Sequence, residues 1–300
     1  MSTTSRPPAA ALTPPPRRVA AAAAKHAFLL AGAAAMLFPF YWMLTTSLKT
    51  FAEAGQFPPS LVPTSLRWEN WAEAWNAPHV NWARAFANTV FIAAAVTAGQ
   101  VVTAVLAAYA FARMRFRGRG ALFSIFLATL FIPNEATLIP QFVLMSKSRS
   151  ACFGLPCLGL YDTYAAQIVP FLASVFAIFL LRQFFLSVPR ELQDAATIDG
   201  AGNLRFLWSV ALPLARPALI TVALVSFLAS WNAFLWPLIV TSSPDIRPVQ
   251  LVMNAFSSEF GTRYHLLMAA ASFVILPMVA VYLVAQRYFI EGVARSGIRG

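Results

Sequence analysis

The sequence predicts an all-α membrane protein with six transmembrane helices, both termini cytoplasmic, and short cytoplasmic helices between spans four and five. Three observations predict it. The chain of 300 residues is 59% hydrophobic and only 11% charged, with a mean hydropathy of +0.66, whereas soluble proteins carry roughly 25% charged residues. Six apolar runs each approach the ~20 residues that cross about 30 Å of hydrocarbon. Lys and Arg are distributed unevenly around those runs, as bilayer topology requires. The net charge of +11 does not point to nucleic acid, because the basic residues sit at the ends of apolar runs and not in a patch on a soluble domain.

Residues 1–24 are rich in Pro, Ala, Ser and Thr and read as a disordered cytoplasmic tail. Residues 25–85 hold the first span and an outer segment. Residues 86–290 hold the other spans, with a polar stretch at 187–217, and 291–300 form a cytoplasmic C-terminal tail. The apolar run from Ala27 to Leu44 exceeds the usual signal-peptide core of about 7 to 15 residues, so it reads as a retained anchor. It ends in Phe38, Phe40, Tyr41 and Trp42, an interfacial aromatic belt. The spans are read as 26–46, 86–111, 121–144 (interrupted by Pro133 and Pro140), 161–181 (containing Pro170), 217–240 and 264–286.

Alternating these spans places fifteen Lys and Arg residues on one side and seven on the other. The richer side holds both termini, the loop with Arg113, Arg115, Arg117 and Arg119, and the stretch 187–217. The positive-inside rule makes it cytoplasmic. On the outer side, Trp68, Trp71, Trp75 and Trp82 suggest a short amphipathic helix at the interface, either an anchor or a docking surface. Cys152 and Cys157 fall in the outer loop between spans three and four. Disulfides persist outside the cytoplasm, and a bond and two free thiols are both open readings. No His/Cys cluster has metal-ligand spacing, and neither a metal nor a cofactor is expected.

Polar residues within spans usually bond across helices or line a water-filled path. Asn88, Gln100, Asn134 and Gln167 fit the first role. Glu135, Gln141 and Asn232 are the candidate pathway residues, because Glu135 lies between two prolines and Asn232 near the outer end of span five.

In the stretch 187–217, Ser187 reads as a helix N-cap and Pro189 as a first-turn residue. Glu191 and Asp194 favour that end of the helix dipole. Leu192, Ala195, Ala196 and Ile198 are expected to form one apolar side. Asp199 ends the helix, and Gly200 supplies a left-handed cap. Ala201 and Gly202 are small enough for close approach by a partner. A second helical piece starts at Arg205, and Pro213 and Pro217 break the chain at the bilayer.

Asp194-Ala195-Ala196, with Gly200 four residues after Ala196 and Leu212-Pro213 beyond, resembles the EAA loop of bacterial binding-protein-dependent ABC importers. The flanks are similar to the carbohydrate-uptake subfamily, of the maltose-transporter G-subunit type. They are the run from Phe40 to Lys49, Asn88-Thr89, the run from Ala107 to Arg113, Trp231-Asn232 and Gln286-Arg287. The resemblance covers residues 25–300. It implies a permease core at 86–290 and ATPase coupling through Glu191, Asp194, Ala195, Ala196, Asp199, Gly200, Gly202 and Pro213. It implies four partners: a cytoplasmic ABC ATPase dimer, a second related permease, an extracytoplasmic solute-binding protein and membrane lipid. Mono- or oligosaccharides are the implied solutes, with glycerol phosphates the alternative. The chain departs from the pattern in carrying Asp194 where the family has Glu, and in Ala233 and the segment around Cys152.

Independent of the resemblance, none of Lys25, Lys49 and Lys147 follows the glycine pattern of a P-loop. No catalytic constellation is present, so an enzyme is not expected. An ion-coupled secondary transporter would show repeated halves and ionisable mid-span residues, and neither stands out.

Overall fold

The computed structural model describes residues 16–78, 80–146, 157–256 and 262–296, and every regular element among them is helical. Helix α1 (Pro16–Ser47) begins inside the expected tail. Proline suits a first helical turn, and the alanines from Ala20 to Ala24 have the strongest helix propensity. The boundary at residue 24 is therefore not kept, and residues 1–15 lie outside the described residues.

The outer segment holds α2 (Phe51–Gly55) and α3 (Glu69–Trp75). It is knitted to the end of α1. Asn70 donates to the carbonyls of Ser47 and Lys49 at 2.9 and 2.8 Å, and the Trp71 indole donates to the Ser47 hydroxyl at 3.0 Å. Lys49 is 1% exposed. Its ammonium donates to the Ser60 carbonyl at 2.5 Å and lies 4.3 Å from the Trp42 ring centre. Burial holds its pKa below the ordinary lysine value, against the nearby Glu53 charge, which raises it. Glu53 is itself buried, which pushes its carboxyl up. Bonds donated by Thr64, Ser60 and Thr50 outweigh that and hold it below the usual carboxylate range.

Helix α4 (Trp82–Arg113) is the central element. Buried Ala93, Ala104 and Ala108 let neighbours approach closely. At Gly99 an added Cβ would lie 2.3 Å from Leu172 Cδ2. Then come α5 (Arg119–Ala128) and α6 (Asn134–Met145), which meet at 101°. Span three is therefore not one continuous helix. The residue before a proline avoids helical dihedrals, and Ile132 is extended ahead of Pro133.

Helices α7 (Tyr164–Ile168) and α8 (Val175–Ser187) bend by 41° around Pro170. Pro170 has no N–H for the Ala166 carbonyl four residues back. The Trp236 indole donates to that carbonyl at 3.0 Å. Two further carbonyls at the break, Phe171 and Leu172, accept from Gln100 (2.8 Å) and Thr103 (2.7 Å) of α4. Ser226 in turn donates to Gln100 at 2.6 Å. The break is thus stabilised by Trp236 and by two side chains of α4, one of them held by Ser226.

The chain continues through α9 (Arg190–Ile198), α10 (Asn203–Phe206), a wide π turn at Leu207–Ala211, α11 (Leu212–Leu214) and α12 (Arg216–Trp231). The fifth expected span, 217–240, is interrupted after Trp231. Asn232 caps α12, and only the short α13 (Leu235–Val240) follows. After α14 (Val249–Val252), α15 (Tyr264–Ser296) closes the fold. It runs through the expected break at 290, since no proline follows Pro277. Helix α4 packs on α8 and α12, while α1 packs mainly on α15.

Candidate coupling site

Helix α9 stands clear of the core. Glu191, Asp194, Ala195 and Ile198 are all exposed. Their i, i+3, i+4, i+7 spacing puts them on one outward stripe. The apolar side expected from Leu192, Ala195, Ala196 and Ile198 is therefore split. Ala196 leans on the core cluster, whereas Ile198 is 87% exposed on the stripe with the two carboxylates. The reason is angular, because Ile198 lies two residues from Ala196, on another side of the helix.

The ends of α9 show one correction and one agreement. Ser187 is not its N-cap. It is the last residue of α8, where its hydroxyl donates to the Phe184 carbonyl at 2.7 Å, and Pro189 occupies the capping position. At the other end Asp199 is the C-cap and Gly200 has φ +78°. The Ala201 N–H donates to the Ala196 carbonyl at 2.8 Å, and the Gly200 N–H to the Thr197 carbonyl at 3.0 Å. Those two bonds make a Schellman turn. A Cβ added at Gly200 or Gly202 would meet nothing within 4 Å. The constraint at Gly200 is thus its own backbone, not an internal clash.

Beyond the turn the chain dives inward. Phe206, Leu207, Ala211 and Ala215 are buried against Tyr109 of α4 and Phe185 of α8. The Tyr109 ring meets Phe185 edge-on at 6.1 Å and lies 6.5 Å from Phe206. Pro213 crowds the carbonyl four residues back and cannot donate. The turn before it is widened, so that the Leu212 N–H reaches the Leu207 carbonyl. An 80° bend at Ala215 then redirects the chain into α12.

Arg113 ties the base of this loop together. Its Nε and Nη2 donate to the Phe185 carbonyl at 3.0 and 2.7 Å, and Nη2 also donates to the Val188 carbonyl. Arg182 donates to the Phe111 carbonyl at 3.3 Å and lies 4.0 Å over the Phe123 ring. From sequence both arginines read as topology charges, and Arg113 also as the end of the family-like run from Ala107, with no bonding partner indicated for either. Their signal was the proximity of each to aromatic residues at helix ends.

The other candidates are scattered. Glu135 is exposed in the first turn of α6, and Gln141 is half-buried on the same helix. Asn232 donates to the Leu228 carbonyl at 2.9 Å and accepts from Gln250 at 3.3 Å. Among the described residues no hydrogen bond joins these three. Asn88 donates to the carbonyls of Asp245 and Arg247 and accepts from the Tyr164 hydroxyl, which is interhelical bonding. Cys157 is in the disulfide form, and Cys152, the chain's other cysteine, lies outside the described residues. Three of the four outer tryptophans, Trp71, Trp75 and Trp82, surround Phe273 at 5.3 to 5.4 Å. Trp82 also borders a cleft of about 890 Å³, where Arg84 and Asp245 pair at 3.1 Å.

Comparison with known proteins bears on this arrangement. The chain is 32% identical over 267 residues to the sn-glycerol-3-phosphate transport system permease protein UgpE of Yersinia enterocolitica, covering 87% of this chain and 92% of that protein. It is also 32% identical over 266 residues to the arabinooligosaccharides transport system permease protein AraQ of Halalkalibacterium halodurans, covering 88% and 91%. Among solved structures, a chain of a bacterial ABC transporter involved in import of the acidic polysaccharide alginate superposes with a TM-score of 0.77 at 24% identity, over 92% of this chain and 99% of that one. A chain from the alginate transporter in complex with an alginate pentasaccharide-bound periplasmic protein superposes with a TM-score of 0.63 at 14% identity, covering 90% and 94%. These two likenesses bear on the fold alone. Residues 100–295 match the binding-protein-dependent transport system inner membrane component family, and the chain belongs to it.

Proposed function

We propose that this multi-pass inner-membrane permease forms half of an importer pore, crosses the bilayer six times with both termini cytoplasmic, and takes its driving force from an ATPase dimer that grips α9. The supporting observation is the exposed stripe of α9, joined by a rigid turn to buried chain. When the ATPases close, force on the stripe passes through the Schellman turn to Phe206 and Leu207, and from there to α4, α8 and α12. The energy source is external to this chain, and a second related permease completes the pore. An extracytoplasmic binding protein delivers the solute, in keeping with the binding-protein-dependent family to which the chain belongs. Mono- or oligosaccharides are the favoured solutes. A glycerol phosphate is the second reading, carried by the UgpE relatives.

The test is Asp194→Lys, which reverses charge at the centre of the stripe and touches no core. Recovery of the ATPase with the permease should fall about fivefold or more, the effect of losing ~1 kcal/mol at an interface. Unchanged co-purification would remove α9 as the docking element. Native mass spectrometry of the cargo carried by the cognate binding protein separates the two solute classes.

A further inference from the structure

The outer segment folds back along α1. Tyr41 donates to the Leu61 carbonyl at 3.1 Å, yet Tyr41 lies six residues before the end of α1 at Ser47. At 1.5 Å per residue that is about 9 Å down the span, and helical side chains lean further towards the N-terminus. The loop from Gln56 to Leu66 thus returns to the depth of an apolar span that leaves Leu37, Phe38 and Tyr41 exposed.

The chemistry of the loop fits that depth. No residue from Ala54 to Leu66 is charged. Phe57 is 95% exposed, and Leu61, Val62 and Leu66 are also exposed. Within the loop Ser60 and Thr64 donate to Glu53 and the Ser60 carbonyl receives Lys49, while Gln56 and Ser65 stay exposed near its two ends. Between those ends it offers a protein partner no charged group and little polar rim. It continues the exposed apolar flank of α1, and exposed Arg67 and Trp68 follow where the chain leaves it, as at a membrane interface. An irregular loop is not tolerated in the hydrocarbon centre, so the headgroup–acyl boundary is its level.

The geometry points to residues 56–66 as an apolar wedge seated in the outer leaflet beside α1, a lipid-binding surface held rigid by Lys49 and Glu53. The inference rests on the proposed topology only for the choice of leaflet.

Phe57→Cys, Leu61→Cys, Val62→Cys and Asn76→Cys, each in a Cys152→Ser/Cys157→Ser background, test it. Each variant carries a nitroxide in the assembled transporter, in phosphatidylethanolamine–phosphatidylglycerol vesicles. Oxygen should collide with the labels at 57, 61 and 62 more often than a water-soluble nickel chelate does, with the order reversed at 76. Access by both quenchers at 57, 61 and 62 would mean a loop in water and would overturn the proposal. Access by neither would mean cover by a second permease or binding protein, and would equally overturn it. Reaction of Asn76→Cys with an impermeant thiol reagent only from the cytoplasmic side would overturn the leaflet and the topology together, whatever the depth readings.

Discussion

Gly200 holds φ +78° in the turn that ends α9. A left-handed backbone costs a non-glycine residue roughly 1–2 kcal/mol, and a β-branched residue fares worst. Gly200→Val should therefore loosen the turn without clashing inside this chain. ATP hydrolysis should continue while uptake falls severalfold, measured side by side in proteoliposomes. Uptake that keeps pace with hydrolysis would contradict the coupling role. Arg113 makes a different prediction. Its fork reaches two carbonyls at the end of α8, and hydrogen bonds to a charged group contribute about 1.5–3 kcal/mol. Arg113→Ala should lower the thermal midpoint of the purified protein, and Arg113→Lys should recover only part, because an ammonium cannot reproduce the planar fork. Equal midpoints for Lys and Arg would remove the fork from the account. Gly200 was legible in sequence because only one residue type suits that conformation. Arg113 was not, because its partners are backbone carbonyls about seventy residues away.

Three of the expected spans are broken helices, and the break at Pro170 takes its donors from elsewhere in the chain. At Pro170 the orphaned Ala166 carbonyl takes the Trp236 indole. Trp236→Phe keeps most of the ring and removes that donor. An unsatisfied buried acceptor costs about 1–3 kcal/mol, so the variant should unfold earlier in a detergent melt, with loss of hydrogen-exchange protection around α7. Unaltered protection there would show that the break does not need this bond. The prolines marked these breaks in the sequence, since each lacks an N–H. The bends differ in size, 41°, 80° and 101°, although prolines flank all three, so proline alone does not set the angle. The apolar side expected on α9 failed for a related reason. Periodicity finds a stripe, but only packing decides which stripe faces inward, and here Ala196 faces in while Ile198 faces out.

For the molecule as a whole, the proposed topology predicts opposite labelling of two exposed loop positions, Asn76 and Arg117. In intact cells an impermeant maleimide should react with Asn76→Cys, while Arg117→Cys should react only after permeabilisation. The converse pattern would invert the chain in the bilayer. The membrane class follows from solvent physics, and the proposed span number and sidedness rest on the same ground, because long apolar runs require lipid and arginines resist crossing it. The EAA-type pattern was also legible, since the residues proposed to meet the ATPase lie within one short stretch. The contacts that give this chain its working shape lie far apart in sequence, and only folding brings them together. Arg113 reaches Phe185, Trp236 reaches Ala166, and the loop at Leu61 turns back to Tyr41. Composition and periodicity are local properties, whereas satisfying a buried carbonyl or covering an exposed face is decided by whatever the rest of the chain places beside it.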